Sequence, residues 1–269
     1  MIEHPTLSKL DTLGWPKYFK RYDTYNYYMT KLTCGEILDD NGNPIPGTGF
    51  QYDSDGRVAE LLAQRITPVM YSPPQGEWAW MITDDSNGEN ERGVAVAPAG
   101  NKGPQVHYHP NFDEHFKSAA GSWILKANED EVTLNAGEDI LVKRGIVHTF
   151  RCVGKDGDFG VMEFGVIPAV GFGGILKGLF GQQQEGIVNS RGEMPFLQAM
   201  VSFRGYRTST GLSFPEIAIM VPPGKAGTTL GIILSFFIAP LGRLFGYKPD
   251  YPHYYEDEFW EKRVNQPSK

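Results

Sequence analysis

The chain has 269 residues, a formal net charge of -7, 41% hydrophobic residues and two cysteines, Cys34 and Cys152. That length accommodates one large domain, or one domain with substantial extensions, and enough apolar residues for a real core. The 25 Lys and Arg are scattered, which argues against a nucleic-acid surface built on clustered cations, and two thiols do not make a disulfide framework.

The N-terminal stretch MIEHPTLSKLDTLGWPKYFK lacks the apolar core of a signal peptide, so a reducing, cytoplasmic setting is expected. Residues 1–66 read as a partly helical N-terminal extension. Pro16-Lys17 opens a Tyr-rich segment, Asp40-Asn41-Gly42-Asn43-Pro44 is a turn, and Val58, Leu61 and Leu62 share one face of a short helix over Arg57–Arg65.

Between residues 67 and 168 the texture changes. Short apolar or alternating runs appear at Trp78–Thr83, Gly93–Ala97, Ser122–Ala127, Glu131–Leu134, Ile140–Val142, Val147–Cys152 and Phe159–Ile167. Turn clusters separate several of them: Asp84 to Gly88, Asn128 to Asp130 and Lys155 to Asp158. Many short strands at this spacing predict a sandwich or barrel rather than alternating strands and helices.

Residues 169–269 read as a helical, apolar C-terminal extension packing on the barrel. Val170–Gln182 and Thr229–Tyr247 are apolar and Gly-rich. A spanning helix needs roughly 20 apolar residues, and Pro240 and Arg243 interrupt the second stretch. Buried helices capping the barrel are expected; the alternative is a hydrophobic hairpin that docks on a membrane or closes a dimer.

The chemistry concentrates in VHYHPNFDEH, Val106 to His115, which holds three of the six histidines. On a strand, His-x-His puts both rings on one face, with Tyr108 opposite. After Pro110-Asn111-Phe112-Asp113 turns the chain, Glu114 begins the next strand. His107, His109 and Glu114 thus converge, a ligand set suited to Fe(II), Mn(II) or Zn(II) with open positions. His148, in GEDILVKRGIVHTF after turns at Gly137 and Gly145, is the fourth candidate.

These residues resemble the two cupin motifs. GPQVHYHPNFDEHFKSAAG matches His-x-His, four residues, Glu, six residues and Gly121; Asn101, flanked by Gly100 and Gly103, stands where the motif usually opens with Gly. GEDILVKRGIVHTFRC matches the second motif at Gly137, Gly145 and His148, with Lys143 in place of its Pro and Cys152 in place of its Asn. The resemblance is to a small single-domain cupin. It implies an all-β double-stranded β-helix, or jelly roll, with His107, His109, Glu114 and His148 around one divalent metal ion, Fe, Mn, Zn or Ni. Fold alone does not choose among the many activities it hosts.

Further residues are weighed around this centre. Trp78 and Trp80 share a strand face and would wall a substrate pocket or be core. Phe150 and Cys152 share the face of His148 and would line the cavity, Cys152 more plainly as packing. Glu163, in an otherwise apolar strand, is expected to face outward, with a general base in the cavity as the alternative. His115 faces away from Glu114. Asp113 is a second acceptor for a ligand histidine or a turn residue. Lys126 and Arg151 are anion contacts or exposed, and His253 is structural. The expected function is a metal-dependent enzyme acting on a small, largely hydrophobic molecule, aromatic, polyketide-like or terpenoid-like, by oxygenation or by Lewis-acid isomerisation or cyclisation. The competing reading is a non-catalytic ligand-binding or sensing protein. A small-molecule substrate, no nucleic acid, a homodimer, and membrane contact only through 229–247 complete the expectations.

Overall fold

The computed structural model describes residues 30–189, 191–202, 207–208, 211–212, 221–249 and 251–268. The Tyr-rich segment around Pro16 lies outside the described residues. The described part of the N-terminal extension is a hairpin, β1 (Lys31–Cys34) with β2 (Phe50–Asp53), followed by α1 (Arg57–Ala63). It is therefore as much strand as helix.

Nine strands follow: β3 (Met70–Ser72), β4 (Glu77–Met81), β5 (Glu91–Pro98), β6 (Asp113–Ala120), β7 (Ser122–Ala127), β8 (Asp130–Leu134), β9 (Asp139–Val142), β10 (His148–Val153) and β11 (Phe159–Ile167). They form a six-stranded sheet, β3-β4-β5-β11-β6-β9, and a three-stranded sheet, β10-β7-β8, with antiparallel pairing throughout. From β6 onward the chain crosses between the sheets at β6–β7, β8–β9, β9–β10 and β10–β11, which makes this a jelly-roll barrel of the double-stranded β-helix type. The core between them is built on Phe112, Phe116, Trp123, Leu125, Met162 and Phe164.

Local sequence sets the corners. Asn128-Glu129 closes the two-residue β7–β8 loop, with Asn128 at φ 53, a conformation Asn tolerates in such turns. Gly103 has φ +67, and a Cβ there would lie 1.8 Å from the Phe150 carbonyl oxygen, so only glycine lets the loop lie against β10. Asn101 fastens the same corner: its Oδ1 accepts the Cys152 N–H at 2.8 Å and its Nδ2 donates to the Gln75 carbonyl. Asn101 thus uses its side chain where the motif usually has none.

A second core covers the outer face of the larger sheet. Phe50, Leu61, Leu62 and Val69 pack there against Trp78, Trp80, Val94, Val96 and Val161. Strands β4 and β5 are therefore buried on both faces, which is why they read as continuous apolar runs.

After β11 the chain becomes helical: α2 (Phe172–Gln184), α3 (Phe196–Ser202), α4 (Lys225–Leu244) and α5 (Asp257–Glu261). Helix α2 caps the barrel, burying Phe172, Ile175, Leu176 and Phe180. Its start is held by Glu91 of β5, whose Oε2 accepts the N–H groups of Val170, Gly171 and Phe172 at 2.7–2.8 Å. A carboxylate there satisfies otherwise unpaired donors and complements the helix dipole. Helix α4 departs from the buried-cap expectation. It buries only its small residues, Gly227, Gly231, Ser235, Ala239 and Gly242, and leaves most of its large apolar side chains exposed.

Candidate metal centre

The His-x-His segment is shorter than a full strand, because Pro104 and Pro110 flank it and offer no N–H to a ladder. A single bridge fixes it: His107 N–H donates to the His148 carbonyl at 3.1 Å, and His148 N–H donates back at 2.8 Å. The Gly145 N–H donates to the His109 carbonyl at 2.8 Å, which ties the preceding turn to the same segment. Glu114, the second residue of β6, lies between Val142 of β9 and Val166 of β11. Tyr108 projects the other way, where its hydroxyl donates to the Pro222 carbonyl and lies 3.0 Å from the Thr228 hydroxyl.

His107, His109, Glu114 and His148 are all buried, and one ligand atom from each lies within 4.8 Å of the others. Glu114 Oε2 is 2.9 Å from His109 Nε2 and 3.1 Å from His148 Nε2. His107 Nδ1 and His148 Nδ1 face the backbone carbonyls of Gln105 and Ile146 at 2.7 and 2.9 Å. Such contacts fix which ring nitrogen carries the proton and aim the other at a metal.

His148 supplies a test of whether the cluster suits a cation. Its Nδ1 faces a carbonyl and its Nε2 a carboxylate, both acceptors, yet a neutral ring donates from one nitrogen only. A divalent cation held between Nε2 and the carboxylate removes that conflict. The electrostatics agree. Burial, reinforced by the neighbouring His148 and His109, pushes His107 far toward its neutral, metal-ready form. Burial works to raise the Glu114 carboxyl, but His109, by charge and hydrogen bond, and the hydrogen bond with His148 outweigh it and hold Glu114 ionised.

A cavity of about 320 Å³ opens onto His107 and Glu114. Its walls are mostly apolar: Phe116, Phe150, Phe164, and Phe172, Leu176 and Phe180 from α2. Two further carboxyls line it: Glu193, which binds Asn189 and Arg191, and Glu77, at the start of β4. Glu77 is buried, its Oε2 has no hydrogen-bond partner among the described residues, and burial together with the Glu114 charge raises its pKa to about 8. Sequence reading overlooked Glu77, although β4 reads EWAWM and Glu77 alternates with Ala79 on one face. The small Ala79 was the available signal, since the face with the smaller side chains has room for a cavity, and both residues line it.

Other expectations are corrected. Trp78 and Trp80 do not wall the pocket; they lie in the outer core, with indole N–H groups donated to the carbonyls of Gly35 and Leu61. Glu163 is not a base in the cavity. It faces the same outer side, opposite Val94, where Arg57 donates to it at 2.9 Å and Arg92 approaches to 3.5 Å. Phe150 lines the cavity, but Cys152 lies deeper, against Gly160, with its thiol pKa raised by burial. Asp113 serves neither a ligand histidine nor a solvated turn; it binds Lys143 and both the backbone and side chain of Arg144.

The remaining assignments match their plainer readings. His115 faces Asp139 at 2.7 Å, Lys126 and Arg151 are exposed, and His253 packs on Tyr254 and Phe259.

The two sequence motifs therefore meet at one cluster inside a jelly roll, the cupin arrangement. No family model matches the sequence, and no curated protein matches it. Solved structures do. KdgF from a Halomonas species is 11% identical, covering 38% of this chain and 86% of that one, with a TM-score of 0.33. An RmlC-like cupin from Shewanella frigidimarina is 19% identical over 38% of this chain and 85% of its own, with a TM-score of 0.32. The Streptomyces nucleoside dehydratase Pac13 is 13% identical over 36% of this chain and 72% of its own, with a TM-score of 0.31.

Proposed function

We propose that this chain is a metal-dependent enzyme that moves a proton on a small, largely hydrophobic substrate bearing a carbonyl or hydroxyl group, by isomerisation or cyclisation. The observation that carries this reading is the placement of Glu77. A buried carboxyl with an unused oxygen lines the same apolar cavity as His107 and Glu114.

A divalent ion held by His107, His109, Glu114 and His148 would supply Lewis acidity toward the substrate oxygen. The chain's own residues supply the rest. The aromatic walls and α2 bind the apolar body of the substrate and keep water out, an arrangement usual for small-molecule sites. Glu77 Oε2 gives up or accepts the proton. With a pKa of about 8, its two protonation states both lie within reach of neutral pH, as efficient acid–base catalysis requires. Gln75 and Gln183 bind each other and Ser72, and present fixed amides at the wall.

The test combines metal analysis of the purified protein with proton exchange. Enolisable ketones and hydroxyketones of this size, incubated in heavy water, take up deuterium next to the carbonyl. Glu77→Gln retains the metal and slows exchange by about 10²–10⁴-fold. Oxygen consumption matched to product would replace this reading with oxygenation. Metal binding without exchange or turnover would replace it with ligand binding.

A further inference from the structure

Helix α4 is built inside out for a soluble protein. Its small residues meet the protein: a Cβ on Gly242 would lie 2.6 Å from Val201 Cγ2 and 3.0 Å from the Leu197 carbonyl of α3. Its large residues face outward. Leu230, Ile233, Phe237 and Leu241 are 44, 50, 72 and 49% exposed, and Leu244 and Phe245 at its end reach 84 and 70%. At 100° per residue, the exposed apolar positions from Ile232 through Phe237 to Leu241 sweep roughly half the circumference. Contiguous apolar surface of that extent marks a contact with a partner or a membrane.

We propose that this face of α4 inserts into the surface of a lipid bilayer. Two observations choose lipid over a second copy. The first is width: a helix pair closes over a narrow seam, whereas here every outward position between Leu230 and Leu241 except Pro240 is apolar or small. The second is charge. The chain carries -7 overall, yet no acidic residue occurs from Ile217 to Pro249, while Lys225, Arg243 and Lys248 are exposed around the helix. Basic residues flanking an apolar face complement anionic headgroups.

The helix is long and apolar enough to cross a membrane. Because α3 occupies its small-residue side, it lies in the plane of the interface, with the outer half-cylinder among the acyl chains and α3 taking the place of a polar face. Tyr108 ties the root of α4, at Pro222 and Thr228, to the segment carrying His107 and His109. The docking helix and the candidate metal centre are thereby one assembly, but the proposal does not depend on the chemistry in the cavity.

Vesicle flotation of the full chain tests it, with vesicles of phosphatidylcholine alone and mixed with phosphatidylglycerol. The protein floats with both, more strongly with the anionic mixture, and added salt removes only that increment. F237Q/L241Q/L244Q lowers partitioning by at least about tenfold, with metal content and the urea midpoint retained as the check on folding. If that variant does not fold, the single substitution Leu244→Ser and the charge variant K225E/R243E carry the test, the latter losing the anionic increment alone. Wild-type protein that stays in solution with both vesicles overturns the proposal. So does a dimer in sedimentation velocity that the triple variant dissolves while wild type fails to float.

Discussion

Burial makes Glu77 a source of pH-dependent stability that can be measured without knowing the substrate. An ordinary Glu ionises near 4.5, whereas burial, with a smaller push from the Glu114 charge, raises Glu77 to about 8. Between those values the folded chain holds a proton on this carboxyl that the unfolded chain has released. Unfolding is then favoured as pH rises, by about 1.4 kcal/mol per unit. The group therefore weakens the fold across this window, by about 2 kcal/mol between pH 6 and pH 8 and by less than about 1 kcal/mol more beyond it. Glu77→Gln keeps shape and polarity and cannot ionise. Urea unfolding of both proteins in a chelator, at intervals from pH 6 to pH 9, isolates the term, because all other titrations are shared. The difference in stability should shift by about 3 kcal/mol in favour of the variant as pH rises and then level off. Parallel curves would mean that Glu77 is ionised or solvated in the fold, and would remove it as the proton-transfer residue.

Four further outcomes follow from the same geometry. His107→Ala and His148→Ala each lose bound metal by elemental analysis, and Glu163→Gln keeps it. Glu163→Gln instead loses about 1–3 kcal/mol in urea unfolding, because the buried carboxylate that Arg57 and Arg92 share is neutralised, while the part-exposed Arg57 keeps Glu60. Trp80→Ala costs about 3–5 kcal/mol through the cavity it leaves in the outer core, and metal content is unchanged; a metal loss would return Trp80 to the site. Gly103→Ala destabilises by more than about 2 kcal/mol, read as a fall in the urea midpoint, since its Cβ would collide with the Phe150 carbonyl at a positive φ.

The ligand residues were legible because they combine rare residue types with fixed spacing, and neither depends on long-range packing. Strands β7 and β11 were legible for a related reason: turn residues bound them tightly, and the observed ends coincide with the expected ones. The assignment of faces stayed open in β4 and β11. Alternation states which residues share a face, not which face is the cavity. When β1, β2 and α1 cover the outside of the sheet, both faces are apolar and the usual cue disappears. That is how Trp78 and Trp80 stood undecided between pocket wall and core, how Glu163 stood as a candidate base beside its outward reading, and how Glu77 was passed over. Helix α4 failed differently. Its apolar content was plain, but whether bulk or small residues meet the protein depends on α3, which no local pattern specifies.

Glu77 and Glu114 show why the outer core matters to the site. Both are buried carboxyls near one cavity, and burial alone would protonate both. Glu114 escapes because His109 and His148 lie within hydrogen-bond reach. Glu77 has no such neighbour, and the charge of Glu114 pushes it further toward the neutral form. One carboxyl is thus prepared to hold a cation and the other to carry a proton, the divergence expected of an acid–base pair set by environment. Arg57 and Arg92 are engaged by Glu163 on the far side of the sheet. Glu163, weighed as a candidate base against an outward position, takes the outward one, away from the cavity. Its removal should alter stability well before it alters the protonation of Glu77.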